Sequence, residues 1–113
     1  MGKGRRTAAI TTALVLLVLA GCNSSTPDVE SCLADVEASA LGRALNHCNR
    51  VVAAHPNDPR PLNDRFLLHT LLQNKAAACR DIRKAERLLG QGGGGNGDSE
   101  LSDEIQVRLD SCR

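Results

Sequence analysis

The sequence predicts an all-α domain: about two helix hairpins plus a closing C-terminal helix, held by two disulfides. Three observations carry that prediction. Apolar residues recur at three- and four-residue steps in successive stripes, the spacing of one helix face, and no stretch alternates as a half-buried strand would. Turn and cap residues punctuate the stripes at short intervals. Four cysteines straddle two of the turns symmetrically.

Each element has its own signals. Thr26-Pro27-Asp28 offers a capping hydroxyl, a proline for the first turn and an acid for the positive helix end, so a first helix is expected from there. Val29, Cys32, Leu33, Val36 and Ala40 supply its stripe. A turn follows near Ser39 to Gly42, and Leu41, Ala44, Leu45, Cys48 and Val52 form the second stripe. His55-Pro56-Asn57-Asp58-Pro59 breaks it, and Asp58-Pro59 starts the next helix, with Leu62, Phe66, Leu67, Leu68, Leu71 and Leu72 as its apolar residues. Gln73-Asn74 marks a turn. Ala78, Cys79, Ile82, Ala85 and Leu89 follow, and Gly90 is the expected stop. Residues 90–98 read as a flexible glycine-rich linker. A phosphate-binding glycine loop would need a following Lys-Ser or Lys-Thr, whereas Asp98-Ser99-Glu100 follows here. Leu101, Ile105, Leu109 and Cys112 form the last stripe.

The start of the chain is built differently. Lys3-Gly4-Arg5-Arg6 is a basic head, Ala8 to Ala20 is an apolar run, and Leu19-Ala20-Gly21-Cys22 ends it. The run is far short of the roughly 20 residues that span a bilayer, and its parts are those of a secretory signal. The segment resembles the lipobox of bacterial lipoproteins. That resemblance implies a signal peptide over residues 1–21, a diacylglyceryl (palmitate-bearing) lipid on Cys22, cleavage before Cys22, and a tether over residues 22–27. The lipid is then the only group carried, with no cofactor, and it makes the membrane a partner. In a host with two membranes, Asn23 lacks the aspartate that commonly retains lipoproteins at the inner membrane, so the implied site is the periplasmic side of the outer membrane.

Setting Cys22 aside leaves Cys32, Cys48, Cys79 and Cys112, an even set in an exported domain, which reads as disulfides. Four cysteines allow three pairings. Residues equally far from a turn lie level on the two arms of a hairpin. The midpoint of Cys32 and Cys48 falls in the turn near residue 40, and that of Cys79 and Cys112 falls between Gly95 and Asn96. The expected pairs are therefore Cys32–Cys48 and Cys79–Cys112. Zinc ligation by these cysteines with His47, His55 and His69 is the competing reading, but no Cys-x-x-Cys or other short paired spacing supports a metal site. A thiol–disulfide enzyme would want the same motif at a helix start.

An internal repeat adds to the fold reading. At an offset of 34 residues, Ala44 falls on Ala78, Cys48 on Ile82, Val51 on Ala85, Leu33 on Leu67 and Cys32 on Phe66. Ala44, Cys48, Val51 and Pro56 sit at the small–large–small–proline spacings of the tetratricopeptide repeat, as do Ala78, Ile82 and Ala85. Residues 28–112 thus resemble a short tetratricopeptide domain of about two repeats and a cap. Ala78-Cys79, Asp81, Lys84-Ala85 and Leu89-Gly90 are similar to bacterial members that end in a cysteine-bearing helix, and Cys112 supplies that cysteine. Phe66 departs from the pattern, being large where the family has a small residue.

Composition narrows the function. Removing residues 1–21 takes away Lys3, Arg5 and Arg6, and the formal charge falls from +1 to −2, with 11 basic and 13 acidic side chains left. That balance does not suit a nucleic-acid binder, and Phe66 is the sole aromatic, which leaves no stacking platform. No Ser–His–carboxylate spacing or carboxylate pair points to catalysis. The charge is uneven: residues 22–42 hold four acids and no base, residues 43–87 nine bases and four acids, residues 88–113 two bases and five acids. Arg43, Arg50, Arg65, Arg80, Arg83 and Arg87 are the candidate contact surface. The expected role is non-enzymatic: a membrane-anchored scaffold or protein-interaction module of the bacterial envelope, with another envelope protein as partner. The alternatives are a metal-binding or redox-active periplasmic protein, and a structural envelope lipoprotein without a discrete partner.

Overall fold

A computed structural model describes residues 25–95 and 98–113, with Gly2 and Gly4. The lipobox, Cys22 and the start of the tether lie outside the described residues, as do Asn96 and Gly97. Two short 3-10 turns, Ser31–Leu33 and Ala38–Ala40, precede four helices: α1 (Leu41–Ala54), α2 (Pro59–Leu71), α3 (Lys75–Gly90) and α4 (Ser99–Asp110). The described residues hold no strand. α2 packs against both α1 and α3, and α4 packs against α3.

Helix boundaries follow from local chemistry. Asp58 caps α2 by accepting the Arg60 N–H at 3.0 Å, with Pro59 in the first position. Asn74 caps α3 through the Ala77 N–H at 3.1 Å, and Asp98 caps α4 through the Leu101 N–H at 3.0 Å. The ends of α2 and α3 share one closing motif. The Gln73 N–H reaches the Thr70 carbonyl and the Asn74 N–H reaches the His69 carbonyl; at α3, Gly92 reaches Leu89 and Gly93 reaches Leu88. This motif needs a left-handed residue after the cap. Gly92 takes it at φ 86° without cost, whereas Gln73 takes it at φ 59° with a side chain.

The expected first helix is not formed. Asp28 does not nucleate it: its carboxylate accepts the Glu30 N–H at 2.8 Å, and its carbonyl accepts both the N–H and the hydroxyl of Ser31. Such local bonds compete with helical ones. The chain then turns extended at Ala34 (ψ 133°), left-handed at Asp35 (φ 57°) and extended again at Glu37. The apolar residues of the segment still face inward. Cys32 is fully buried, while Leu33 and Val36 pack against the same cluster.

The core has two parts. Leu62, Phe66, Ala78, Ile82, Ala85, Leu101, Ile105 and Leu109 join α2, α3 and α4. Cys32, Ala44, Cys48, Val51 and Leu68 join the N-terminal segment, α1 and α2, and Val52 packs against both parts. The residues matched at the 34-residue offset share an environment: Ala44 and Ala78, Cys48 and Ile82, Val51 and Ala85, and Cys32 and Phe66 are all buried. The disulfides are Cys32–Cys48 and Cys79–Cys112, with Cα atoms 4.4 and 5.7 Å apart, the pairs expected from the hairpin midpoints. The first forms even though one arm of its hairpin is a 3-10 turn. Closing loops of 16 and 33 residues stabilises the fold by roughly 3 to 4 kcal/mol each in the chain-entropy treatment.

The described part of the glycine-rich segment is built into the fold. Gly90 is the last residue of α3, and Gly92 makes the stop. A Cβ on Gly93 would lie 2.6 Å from the Asn57 carbonyl and 2.9 Å from that of Leu88. One on Gly94 would meet Pro59 at 3.1 Å and Leu101 at 3.2 Å. The absence of side chains lets this turn seat on the α1–α2 loop.

Candidate functional site

Arg80, Arg83, Lys84 and Arg87 follow one another at helical steps on α3, opposite its buried residues Ala78, Ile82 and Ala85. All four are exposed, so they form one continuous cationic strip about 10 Å long at the helical rise of 1.5 Å per residue. Among the described residues, Arg80, Lys84 and Arg87 have no ion-pair partner, and Arg83 donates only to the Cys112 carbonyl, at 3.2 Å. The helix beneath them is fixed by the Asn74 cap, by Cys79–Cys112 and by the core.

Arg65 stands apart from the other candidate residues. Its Nε and Nη2 donate to the two carboxylate oxygens of Asp81, each at 2.7 Å, and its Nη1 donates to Asn49 Oδ1 at 3.0 Å. This arginine clamps α1, α2 and α3 together and offers little to a partner. Asp81 is 7% exposed, so the forked pair satisfies a carboxylate that burial would otherwise penalise. His69 Nε2 lies 3.5 Å from the same carboxylate, and its Nδ1 is buried without a hydrogen-bond partner among the described residues. Burial holds the His69 pKa below its usual value, outweighing the pull of Asp81; Arg65 and Arg80 push the same way.

The clamp brings Asn49 of α1 and Asp81 of α3 to one arginine. Arg43 and Arg50, both exposed, lie on α1 beside the N-terminal segment, apart from the strip. They line a shallow cleft of about 420 Å³ with Asp35, Glu37 and His47. His47 Nε2 sits 3.1 Å from both the hydroxyl and the carbonyl of Ser31, which ties the first 3-10 turn to α1. His55 Nε2 lies 2.7 Å from the Pro27 carbonyl and anchors the end of the tether at the α1–α2 loop. His47 and His55 thus tie the N-terminal segment to the body, while His69 lies beside the Asp81 carboxylate.

The sequence reading missed an acidic cleft of about 210 Å³ between α2 and α4, lined by Glu30, Arg60, Asp64, Asp98, Glu100 and Glu104, with Asn63 behind. Burial pushes the Asp64 carboxyl up to about 6; Arg108 opposes this, while Glu104 and Glu30 add to it. Asp58 moves the other way, held below the usual range by its hydrogen bonds from the Arg60 guanidinium. A signal for Asp64 was present, since Leu67 and Leu68 follow it at three and four residues, on the same helix face. Arg108 joins α4 to α2: it donates to the Asn63 carbonyl at 2.9 Å and to Asn63 Oδ1, and lies 5.8 Å from the centre of the Phe66 ring.

While paired, the four cysteines offer no thiolate to a metal, and no group of three or more His, Cys, Asp or Glu is placed to hold one among the described residues. No helix among the described residues is long and apolar enough to cross a membrane. No protein-family model matches the chain, and no curated protein or solved structure matches it significantly.

Proposed function

We propose that this chain is a small lipid-anchored protein-interaction module of the bacterial envelope, tethered through Cys22, that presents the α3 strip to an acidic partner protein. The observation that carries the reading is the strip itself: four exposed cations on one face of a helix fixed by a disulfide, three of them with no ion-pair partner among the described residues. Cations held on a rigid helix lose little freedom on docking and steer an oppositely charged partner. The signal-like N-terminus with Cys22 at its end supports lipid anchoring, on the outer membrane where the host has two. The shared burial of residues 34 apart supports the tetratricopeptide-like reading, in which stacked helix pairs serve as a protein-binding scaffold.

Two experiments test it. Labelling cells with a palmitate analogue should mark the wild-type chain and leave Cys22→Ser unlabelled and released from the membrane fraction. Crosslinking in intact cells should recover one reproducible envelope protein with the wild type. The triple variant Arg80→Glu, Arg83→Glu, Arg87→Glu should lose it while keeping the wild-type helical spectrum. Equal recovery with the folded triple variant, or no reproducible partner for the wild type, refutes the binding role.

A further inference from the structure

The two disulfides occupy unlike sites. Cys32 and Cys48 are each 0% exposed, enclosed by the N-terminal segment, α1 and α2. Cys79 is buried at 6%, but Cys112 is half-buried, and its chain neighbours Ser111 and Arg113 are exposed. A largely apolar recess of about 250 Å³ opens beside this second bridge, lined by Phe66, Thr70, Lys75, Ala78, Cys79 and Ser111. On α3, Lys75 and Arg83 lie four residues before and after Cys79, so a cation flanks it on either side along the helix face. Arg83 also donates to the Cys112 carbonyl. Positive surroundings stabilise a thiolate, and a thiolate of lowered pKa is the better leaving group in disulfide exchange.

We infer that Cys79–Cys112 is an exchangeable disulfide, a modification site for an enzyme-borne vicinal dithiol, whereas Cys32–Cys48 is permanent. The attacking thiolate forms a bond to Sγ of Cys112, the half-buried member of the pair. The Cys79–Cys112 bond breaks, and its electron pair leaves on Cys79 Sγ, held by Lys75 and Arg83 until it takes a proton from water. The second thiol of the reductant, as thiolate, then attacks its own sulfur in the mixed disulfide and releases Cys112, which is protonated in turn. Two electrons and two protons pass to the chain, and the reductant is left as a disulfide. The bridge is the only covalent tie of α4 to α3 apart from the chain itself. Opening it leaves α4 held by Leu101, Ile105, Leu109 and the Arg108 contacts to Asn63. The inference stands independently of the partner proposed for the basic strip.

The test uses the full chain carrying Cys22→Ser, so that no fifth thiol intervenes. Graded dithiothreitol, rapid alkylation and peptide mapping should show Cys79 and Cys112 reduced at least about tenfold faster than Cys32 and Cys48, in a chain that keeps its helical spectrum. A Cys-x-x-Cys protein dithiol lacking its second cysteine should be trapped as a mixed disulfide on Cys112. Neutralising both flanking cations, with Lys75→Gln and Arg83→Gln, should slow the reduction several-fold while Cys32–Cys48 is unaffected. Equal reduction rates for the two bridges, reduction only with loss of helicity, trapping on Cys79, or an unchanged rate in the double variant would each overturn the inference.

Discussion

Asp64 and Arg65 are neighbours with opposite electrostatic fates. The Arg65–Asp81 pair is enclosed and forked, so removing one partner strands a buried charge. Arg65→Ala should destabilise the domain by about 3 kcal/mol, and Arg65→Met with Asp81→Leu by clearly less, measured by urea unfolding. Asp64 has no such partner, and burial lifts its carboxyl to about 6, above its unfolded value of 3.8. The folded state therefore binds the extra proton between those values. Stability from this group increases as pH falls from 7 towards 4 and is lost as pH rises through 6. Asp64→Asn should raise the unfolding midpoint at pH 7 by an amount worth roughly 1 kcal/mol, after discounting for its partial exposure, and the gain should vanish near pH 4. Thermal melts of both proteins across that range measure it.

Among the elements, the helix-closing turns carry the clearest expectation. α2 and α3 end in the same motif with different residues at the left-handed position. Gln73→Gly should stabilise the domain by about 0.5–1 kcal/mol, and Gly93→Ala should destabilise it by 2 kcal/mol or so because backbone carbonyls surround the added methyl. Chemical unfolding of the two variants should show these opposite signs. The elements also mark where sequence was readable. α2, α3 and α4 begin at side-chain caps, and Asp58-Pro59, Asn74 and Asp98 are visible in the sequence. Residues 28–40 carried a helical stripe, yet Asp28 and Ser31 bonded locally and Asp35 turned left-handed. Periodicity records which residues face inward and cannot tell a helix from two 3-10 turns that bury the same side chains. The packing of Gly93 and Gly94 was not legible either. Composition indicates freedom, while the use of Gly93 against Asn57 depends on a contact between segments far apart in sequence.

The molecule as a whole is a small two-part core in which α2 contributes to both parts and a disulfide serves each. The cysteine pairing was legible because residues equally far from a turn meet across it, which holds for Cys32–Cys48 even with a 3-10 turn as one arm. The arginine surface was legible only in part. Spacing along α3 places Arg80, Arg83 and Arg87 together, but nothing local separates them from Arg65, whose partners Asn49 and Asp81 come from two other helices. The acidic cleft between α2 and α4 is of the same kind, assembled only once α4 folds back. Basic strip and acidic cleft give the domain a charge asymmetry that a net value of −2 conceals.

The His55 bond to the Pro27 carbonyl fixes where the leash leaves the body. Only four residues separate Pro27 from Cys22, five steps with a reach of at most about 18 Å. With a lipid on Cys22, the α1–α2 loop would hover within that height of the bilayer. Gly93 rests on Asn57, so the C-terminal end of α3 sits at the same end. Arg87 would then be the lowest rung of the cationic strip and Arg80 the highest. Anchored in this way, the module would search a thin layer above the membrane and would meet only partners that expose their acidic surface there.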